Sequence, residues 1–197
     1  MTKICLVRHG ETDWNAVRRI QGREDIPLND KGKKQAEECG HYLKDFYFDV
    51  IISSPMVRAR QTADLINNQV GLPAIIEMAD FMERDYGLVS GMTIEEKKKK
   101  FLNQEHPSVE SWEALSQRVM KGIDTIHEIY KGQSVLLVVH GGVINAILGS
   151  ISNEELGHGK TKIMNGSITN IENQNGTWVI HNYNQVGHLS LSYSNND

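Results

Sequence analysis

The sequence predicts an α/β protein: a three-layer α/β/α, doubly wound and mostly parallel sheet with an antiparallel edge strand. Three observations carry that prediction. Ile4 to Val7, Val50 to Ile52 and Val135 to Val139 are short continuous apolar runs rich in β-branched residues, as strands buried on both faces are. The segments between them repeat apolar residues at steps of three and four, so strand and helix alternate and helices cover both faces of the sheet. In the last third, residues 166–171 and 177–183 flank Asn175-Gly176, a dipeptide that favours a tight hairpin turn and hence an antiparallel edge.

In chain order, the first strand runs directly into Arg8-His9-Gly10-Glu11-Thr12. Ala36, Cys39, Leu43 and Phe46 or Tyr47 mark the apolar face of the first long helix. After the strand at Val50 to Ile52, Ser53-Ser54-Pro55 reads as a helix start, with Ser54 as N-cap and Pro55 in the first helical position; Arg58 then falls in the first turn. Ala59, Ala63, Ile66 and Val70 form the inner face of that helix. The apolar pair Ile75-Ile76 leads to an acidic segment, Glu83-Arg84-Asp85-Tyr86-Gly87. Lys97 to Lys100 follow Glu95 and Glu96 at i, i+4 spacing, the pattern of an exposed helix face. Trp112, Leu115, Val119, Ile123, Ile126 and Tyr130 make the strongest amphipathic helix, which places Arg118 and Lys121 in solvent and leads through Gly132 into the strand that ends in His140-Gly141-Gly142. No repeat and no Pro- or Ser-rich linker interrupts the chain, so residues 1–197 read as one domain; Ser192 to Asp197 are polar enough to fray.

Composition narrows the function classes. A chain of 197 residues with 39% hydrophobic residues buries a sizeable core and is not disordered. Twenty-five acidic against twenty-one basic residues leave a formal charge of −4, the wrong balance for a protein that lives on nucleic acid. No apolar run is long enough to span a bilayer and no secretory signal pattern opens the chain, so membrane attachment is not expected and a cytoplasmic location is. Cys5 and Cys39 lack a C-x-x-C partner or a zinc-ligand spacing and read as small core hydrophobes. The assembly state is open, a homodimer included.

Ligands of open α/β sheets bind beyond the carboxyl ends of the strands. Here those ends carry Arg8-His9, His140-Gly141 and, one turn into a helix, Arg58. A single histidine in a globular chain is usually a hydrogen-bonded polar residue, but two histidines and two arginines on one sheet edge put an imidazole nucleophile and fixed positive charge around one anion. Phosphate fits. Neutral His9 could attack phosphorus and form a phosphohistidine, splitting one displacement into two. Arg8 and Arg58 would hold His9 unprotonated by like-charge repulsion and neutralise the equatorial oxygens. His140 could donate to those oxygens, while Gly141 lets backbone N–H approach at a helix N-terminus. Glu83 is positioned to protonate the leaving alkoxide and to act as base in the second step, since a carboxyl facing a bound dianion keeps its proton more readily; Asp85 competes for that role. No cofactor and no metal is required.

These residues resemble the histidine phosphatase superfamily, also called the phosphoglycerate mutase-like family. Arg8-His9-Gly10-Glu11-Thr12 with Asn15, Gln21-Gly22, Asp25, Pro27-Leu28 and Gly32, then Ser53-Ser54-Pro55 with Arg58, Glu83 with Gly87, and His140-Gly141-Gly142 follow the family's order over residues 4 to about 150. The resemblance implies a three-layer doubly wound fold, His9 as phosphorylated nucleophile, Glu83 as proton donor, and Arg8, Arg58 and His140 as the phosphate pocket. Asn15, Gln21 and Gly22 align with substrate or phosphate contacts. The implied partner is a small phosphorylated metabolite.

Two branches compete. Cofactor-dependent mutases carry a long insertion with paired arginines between the acidic block and the second histidine; here the stretch is short and holds no Arg-Arg pair. That favours a phosphatase of the histidine acid type, with an open pocket that admits hydrolytic water. The Glu-Arg-Asp-Tyr-Gly block resembles the mutase version and keeps that alternative. A non-catalytic phospho-ligand module would have lost His9 or Glu83, and both are present. Gly157 to Thr161 fails the Walker spacing because Glu154 stands where glycine is needed, and no H-E-x-x-H or other close carboxylate and histidine cluster supports a metallohydrolase. Selective substrate contacts are expected from residues 81–111 and 152–163.

Overall fold

The computed structural model describes residues 1–102 and 104–190. Its strands are β1 (Lys3–Arg8), β2 (Val50–Ser53), β3 (Ile75–Glu77), β4 (Ser134–Val139), β5 (Ile168–Gln174) and β6 (Thr177–Gln185). They form one sheet in the order β3-β2-β4-β1-β5-β6. The first four in that order are mutually parallel, β5 pairs antiparallel with β1 and β6 antiparallel with β5, so the expected fold class holds. The helices are α1 (Asp13–Ala16), α2 (Asp30–Leu43), α3 (Val57–Val70), α4 (Ile94–Phe101), α5 (Trp112–Ile129) and α6 (Gly141–Ile151), with short 3₁₀ turns at Ala79–Phe81 and Gly87–Val89.

Strand alternation divides the core in two. Ile4, Leu6, Val135, Leu137 and Val139 point to one face and pack against Leu115, Val119 and Ile123 of α5 and Val143, Ile144 and Ile147 of α6. Cys5, Val7, Leu136 and Val138 point to the other and meet Cys39 and Leu43 of α2 and Ala59, Ala63 and Ile66 of α3. Each fully buried aliphatic side chain contributes about 1.5–3 kcal/mol. Both cysteines are free and buried, as expected of core residues; burial pushes the Cys5 thiol up to about 12 and Cys39 higher still. At the hairpin, Asn175 and Gly176 both take left-handed backbone (φ 53° and 90°), the geometry of the favoured two-residue turn.

Four local expectations are corrected. The helix α2 stops at Leu43, leaving Phe46 and Tyr47 exposed, while Phe48 takes the buried position as the chain turns into β2. Ser54 and Pro55 are not the cap and first residue of α3: Met56 is the N-cap, without a side-chain bond. The Asp25 carboxylate instead receives Val57 N–H at 2.7 Å, so a carboxylate from another segment caps this helix. Arg118 is not solvated; it donates to the carbonyls of Asp80 and Met82 (2.7 Å each) and Glu83 (3.1 Å) and pairs with Glu110 at 2.7 Å. The strand β5 starts at Ile168 rather than 166, because Gly166 and Ser167 bond back to Arg8. The lysine run behaves as expected, on a helix opened by a Thr93/Glu96 capping box. The expected fraying of Ser192 to Asp197 lies outside the described residues.

Candidate active site

Register brings the two histidines together. Arg8 pairs with Val139 across the parallel strands β1 and β4, so the next residues, His9 and His140, leave adjacent strands side by side. Their ring centroids are 5.2 Å apart. On the other side of β4, Ser53 pairs with Val138, which places Ser54 beside His140. The Ser54 hydroxyl lies 2.8 Å from His140 Nε2. That is the use of Ser54 that a capping argument missed.

The His9 loop is fixed from several directions. Its backbone N–H donates to Val139 O, and Asn165 Nδ2 donates to the carbonyls of His9 (3.0 Å) and Gly10 (3.3 Å). Gly10 N–H donates to Thr62 Oγ1 at 3.1 Å. The loop then packs on the first turn of α2 so closely that a Cβ on Gly10 would stand 2.2 Å from Gly32 O, which is why both positions are glycine.

His9 Nδ1 is 2.6 Å from Gly10 O, and the network therefore puts the ring proton on Nδ1. The lone pair on Nε2 is left facing Arg58, whose Nε donates to it at 3.3 Å. Arg58 is held by Gly22 O and Glu24 O, each at 2.8 Å. Burial, then the Arg58 and Arg8 guanidiniums, hold His9 well below the ordinary imidazole range. The same causes, burial first, hold His140 there too.

Two buried nitrogens at or just behind this pocket have no protein partner. Arg8 spends Nη1 on Ile163 O, but its Nε is unpaired; a Cβ on Gly141 would approach that nitrogen at 3.3 Å. His140 Nδ1 is also unpaired; we assign the Ser54 hydroxyl, 2.8 Å from Nε2, as the donor of that hydrogen bond, which places the ring proton on Nδ1. Buried donors are almost always satisfied, so two beside a phosphate-sized space point to an anion.

Glu83 stands opposite. Its carboxylate accepts from Arg84 N–H at 2.9 Å and from Gly142 N–H at 3.1 Å, which ties it to the N-terminus of α6. A Cβ on Gly142 would lie 2.4 Å from Glu83 Oε1, so the second glycine after His140 makes room for this carboxylate. Arg118 fastens the Glu83 carbonyl from behind, and buried Arg84 is clamped by Glu105 at 2.9 Å and by the Trp112 face at 4.3 Å. Asp85, the competing acid, accepts from Gly87 N–H at 2.8 Å and closes its own turn.

A cavity of about 150 Å³ is lined by Arg8, His9, Asn15, Gln21, Gly22, Arg58 and Glu83. The structure thus brings these sequence-predicted residues together, with His140 and Gly141 behind them. Asn15 and Gln21 also serve the loop: Thr12 Oγ1 donates to Gln21 Oε1 at 2.9 Å, and Asn15 Oδ1 accepts Thr12 N–H at 3.1 Å. Arg19 and Ile20 line the cavity as well and were not anticipated, whereas Tyr86, which also lines it, falls in the 81–111 stretch from which substrate contacts were expected. Among the described residues no group of three or more His, Cys, Asp or Glu is arranged to hold a metal ion, and no helix is long and apolar enough to cross a membrane.

The two buried imidazoles make stability pH-dependent. An unfolded histidine binds its proton near 6.5, and the folded chain resists, so stability is complete above that pH and is lost as pH falls toward the depressed folded values. Urea titrations at about pH 7 and pH 5.5 are expected to show a loss on the order of 1 kcal/mol per buried histidine. His158 and His188, also shifted down by burial, add with the same sign. A midpoint that does not move over this interval would contradict the neutral assignment of His9 and His140.

Comparison with known proteins agrees with this geometry. The histidine phosphatase superfamily (branch 1) profile matches residues 4–186. A Bacillus subtilis (strain 168) protein described as an uncharacterized phosphatase, PhoE, is 45% identical over 190 residues, covering 96% of this chain and 98% of the relative. The metal-independent phosphoserine phosphatase of Arabidopsis thaliana is 34% identical over 203 residues, covering 96% and 84%. Bacterial proteins described as probable phosphoglycerate mutase GpmB also match, one from Erwinia tasmaniensis at 31% identity. Among solved structures, a phosphoserine phosphatase mutant from Entamoeba histolytica in complex with phosphoserine superposes with a TM-score of 0.84 at 30% identity, over 96% of this chain and all of that one. With a family match across nearly its whole length and a relative at 45% identity, this chain belongs to the histidine phosphatase superfamily.

Proposed function

We propose that the protein is a metal-independent phosphatase that hydrolyses small phosphomonoesters through a phosphohistidine on His9, with Glu83 as general acid and then base. The observation that carries this reading is the state of His9: unprotonated at Nε2, proton fixed on Nδ1 by Gly10 O, and flanked by guanidiniums.

In the first step the Nε2 lone pair forms a bond to phosphorus as the ester P–O bond breaks, and the Glu83 proton passes to the departing alkoxide. Arg8 Nε and His140 Nδ1, the two unpaired donors, meet the oxygens of the transferring group together with Arg58. In the second step Glu83 takes a proton from water, whose oxygen bonds to phosphorus as the P–N bond breaks. Inorganic phosphate leaves and Glu83 is again protonated. The resident positive charge is that of arginine, which is planar and always protonated, so the charge a cation would supply is already present.

The names of the phosphatase relatives support hydrolysis, and phosphoserine bound to a relative of like fold supports a small phosphorylated metabolite as substrate. A mutase reading draws on the GpmB relatives and on the Glu83 to Gly87 block. The deciding experiment incubates the protein with each monophosphoglycerate, with and without a bisphosphorylated primer, in the presence of a chelator. Release of inorganic phosphate without a primer is expected. Fast primer-dependent isomerisation, or activity abolished by chelation and restored by added metal, overturns the proposal.

A further inference from the structure

Every N–H of the Arg118 guanidinium is engaged, and all of them serve the neighbourhood of Glu83. Nε donates to Glu110 Oε1 at 2.7 Å and Nη2 to Glu110 Oε2 at 2.9 Å, a two-point fork on a carboxylate. The other three N–H groups go to main-chain carbonyls of one short segment: Nη1 to Asp80 O and Met82 O at 2.7 Å each, and Nη2 to Glu83 O at 3.1 Å. A rigid plane of five donors thus meets five acceptors, which the three donors of a lysine cannot reproduce.

Residues 82–86 belong to no helix or strand, so no ladder of their own sets where Glu83 stands. Arg118 supplies that setting from a fixed base. Its neighbour Val119 and Leu115, three residues back, are fully buried in the core between α5 and the sheet. One turn further along α5, a Cβ on Gly122 would stand 2.9 Å from Asp80 Cβ and Phe81 Cζ, so the turn leading to Glu83 lies directly on the helix. Glu110 completes the fixture: Oε2 accepts Asp85 N–H at 3.0 Å, its own N–H donates to Asp85 O at 2.8 Å, and its carbonyl accepts from Arg84 Nε at 2.7 Å.

The acid itself tolerates little displacement. Its carboxylate holds Gly142 N–H at 3.1 Å, in a space that only glycine leaves open. A movement of about 1 Å away from α6 breaks that bond, and misplacement of this size costs on the order of 10²-fold in a step that depends on position.

We infer that Arg118, held by Glu110, is the positioning residue of the general acid: it acts on turnover through Glu83 and does not itself line the reaction cavity. The inference rests on the phosphatase reading of the His9 pocket, with Glu83 as its acid. An ion pair of purely structural value would affect all substrates alike, whatever stands at position 83. A positioning residue affects those that need the proton, and only while the acid is present.

The test is a double-mutant cycle between R118M and E83Q, read as kcat/KM for an alkyl phosphate and for an activated aryl phosphate. R118M alone is expected to lower the alkyl value about 10²-fold and the aryl value far less, because the aryl leaving group departs without a proton. In the E83Q background the same substitution is expected to lower the alkyl value by less than about threefold. R118K, which keeps the charge and some of the carbonyl bonds, is expected to recover part of the alkyl loss. A second readout needs no turnover: the pH titration of the Gly142 amide shift, of which the part removed by E83Q reports the Glu83 carboxylate. That part is expected to be strongly reduced in R118M. Equal losses for the two esters, an alkyl loss that E83Q leaves undiminished, or a Gly142 titration in R118M that matches the wild type would each overturn the inference. If R118M does not fold, E110Q, in which Arg118 loses its ion pair, takes its place in the same cycle. Absence of phenyl phosphate turnover in the wild-type protein would overturn the phosphatase reading alone, and the Gly142 titration would still decide whether Arg118 places Glu83.

Discussion

Replacing His9 with alanine is expected to lower phosphomonoester turnover by about 10⁴-fold or more and to remove the acid-labile phosphoryl label in the same variant. The size follows from the role. Without Nε2 the pocket keeps its anion donors, Arg8, Arg58 and His140, but has no atom that can take the phosphoryl group. Substrate or vanadate should still bind, since the guanidiniums of Arg8 and Arg58 remain; the Arg58 anchors on Gly22 O and Glu24 O do not involve His9. Rapid-quench labelling with a phosphate-labelled ester reads both quantities at once. Turnover that survives in His9→Ala, with or without label, would sink the phosphohistidine route, because among the described residues that line the cavity His9 is the one histidine, and His140 is tied to Ser54 by Nε2.

The second large effect is expected at Glu83 and is a slope rather than a single loss. In Glu83→Gln, kcat/KM for an alkyl phosphate, whose leaving group needs a proton, should fall by about 10² to 10⁴-fold, and for an activated aryl phosphate by far less. The amide keeps the volume of the carboxylate and can still accept one of the two backbone N–H bonds from Arg84 and Gly142, so the fold of the loop is retained. A series of aryl and alkyl phosphates of graded leaving-group basicity measures it. Equal losses across the series would mean that Glu83 acts only through charge or packing, and would return Asp85 to consideration despite its engagement with Gly87.

The site was legible in the sequence wherever chemistry sits next to a strand. Arg8-His9 and His140-Gly141 follow apolar runs directly, and a parallel sheet of buried strands leaves few choices for where such ends meet. Arg58 was legible because it lies within one turn of a strand exit. Arg118 was not: helical spacing put it on the polar side of α5, and nothing local reveals that three carbonyls and Glu110 gather there from another segment. Ser54 misled for a similar reason. Its place before a proline suggested a cap, but its partner, His140, is 86 positions away and is reached only through the β2–β4 register. The larger cleft beside the pocket was half anticipated, since Ile94, Lys162 and Ile163 fall in the stretches 81–111 and 152–163, whereas its Arg18 to Ile20 wall carried no periodic or motif signal.

By itself, then, the sequence determined the layer order, the hairpin edge and most of the candidate residues that gather at the pocket, because each rests on short-range patterns: alternation, helical period, turn chemistry and residues that abut strand ends. Only the tertiary structure decided which ring nitrogen of His9 is unprotonated, which donors are left unpaired and which cations share a cleft. Those are properties of distance and burial between segments far apart in the chain, and the same residue is a solvated charge or a buried anchor according to what folds over it.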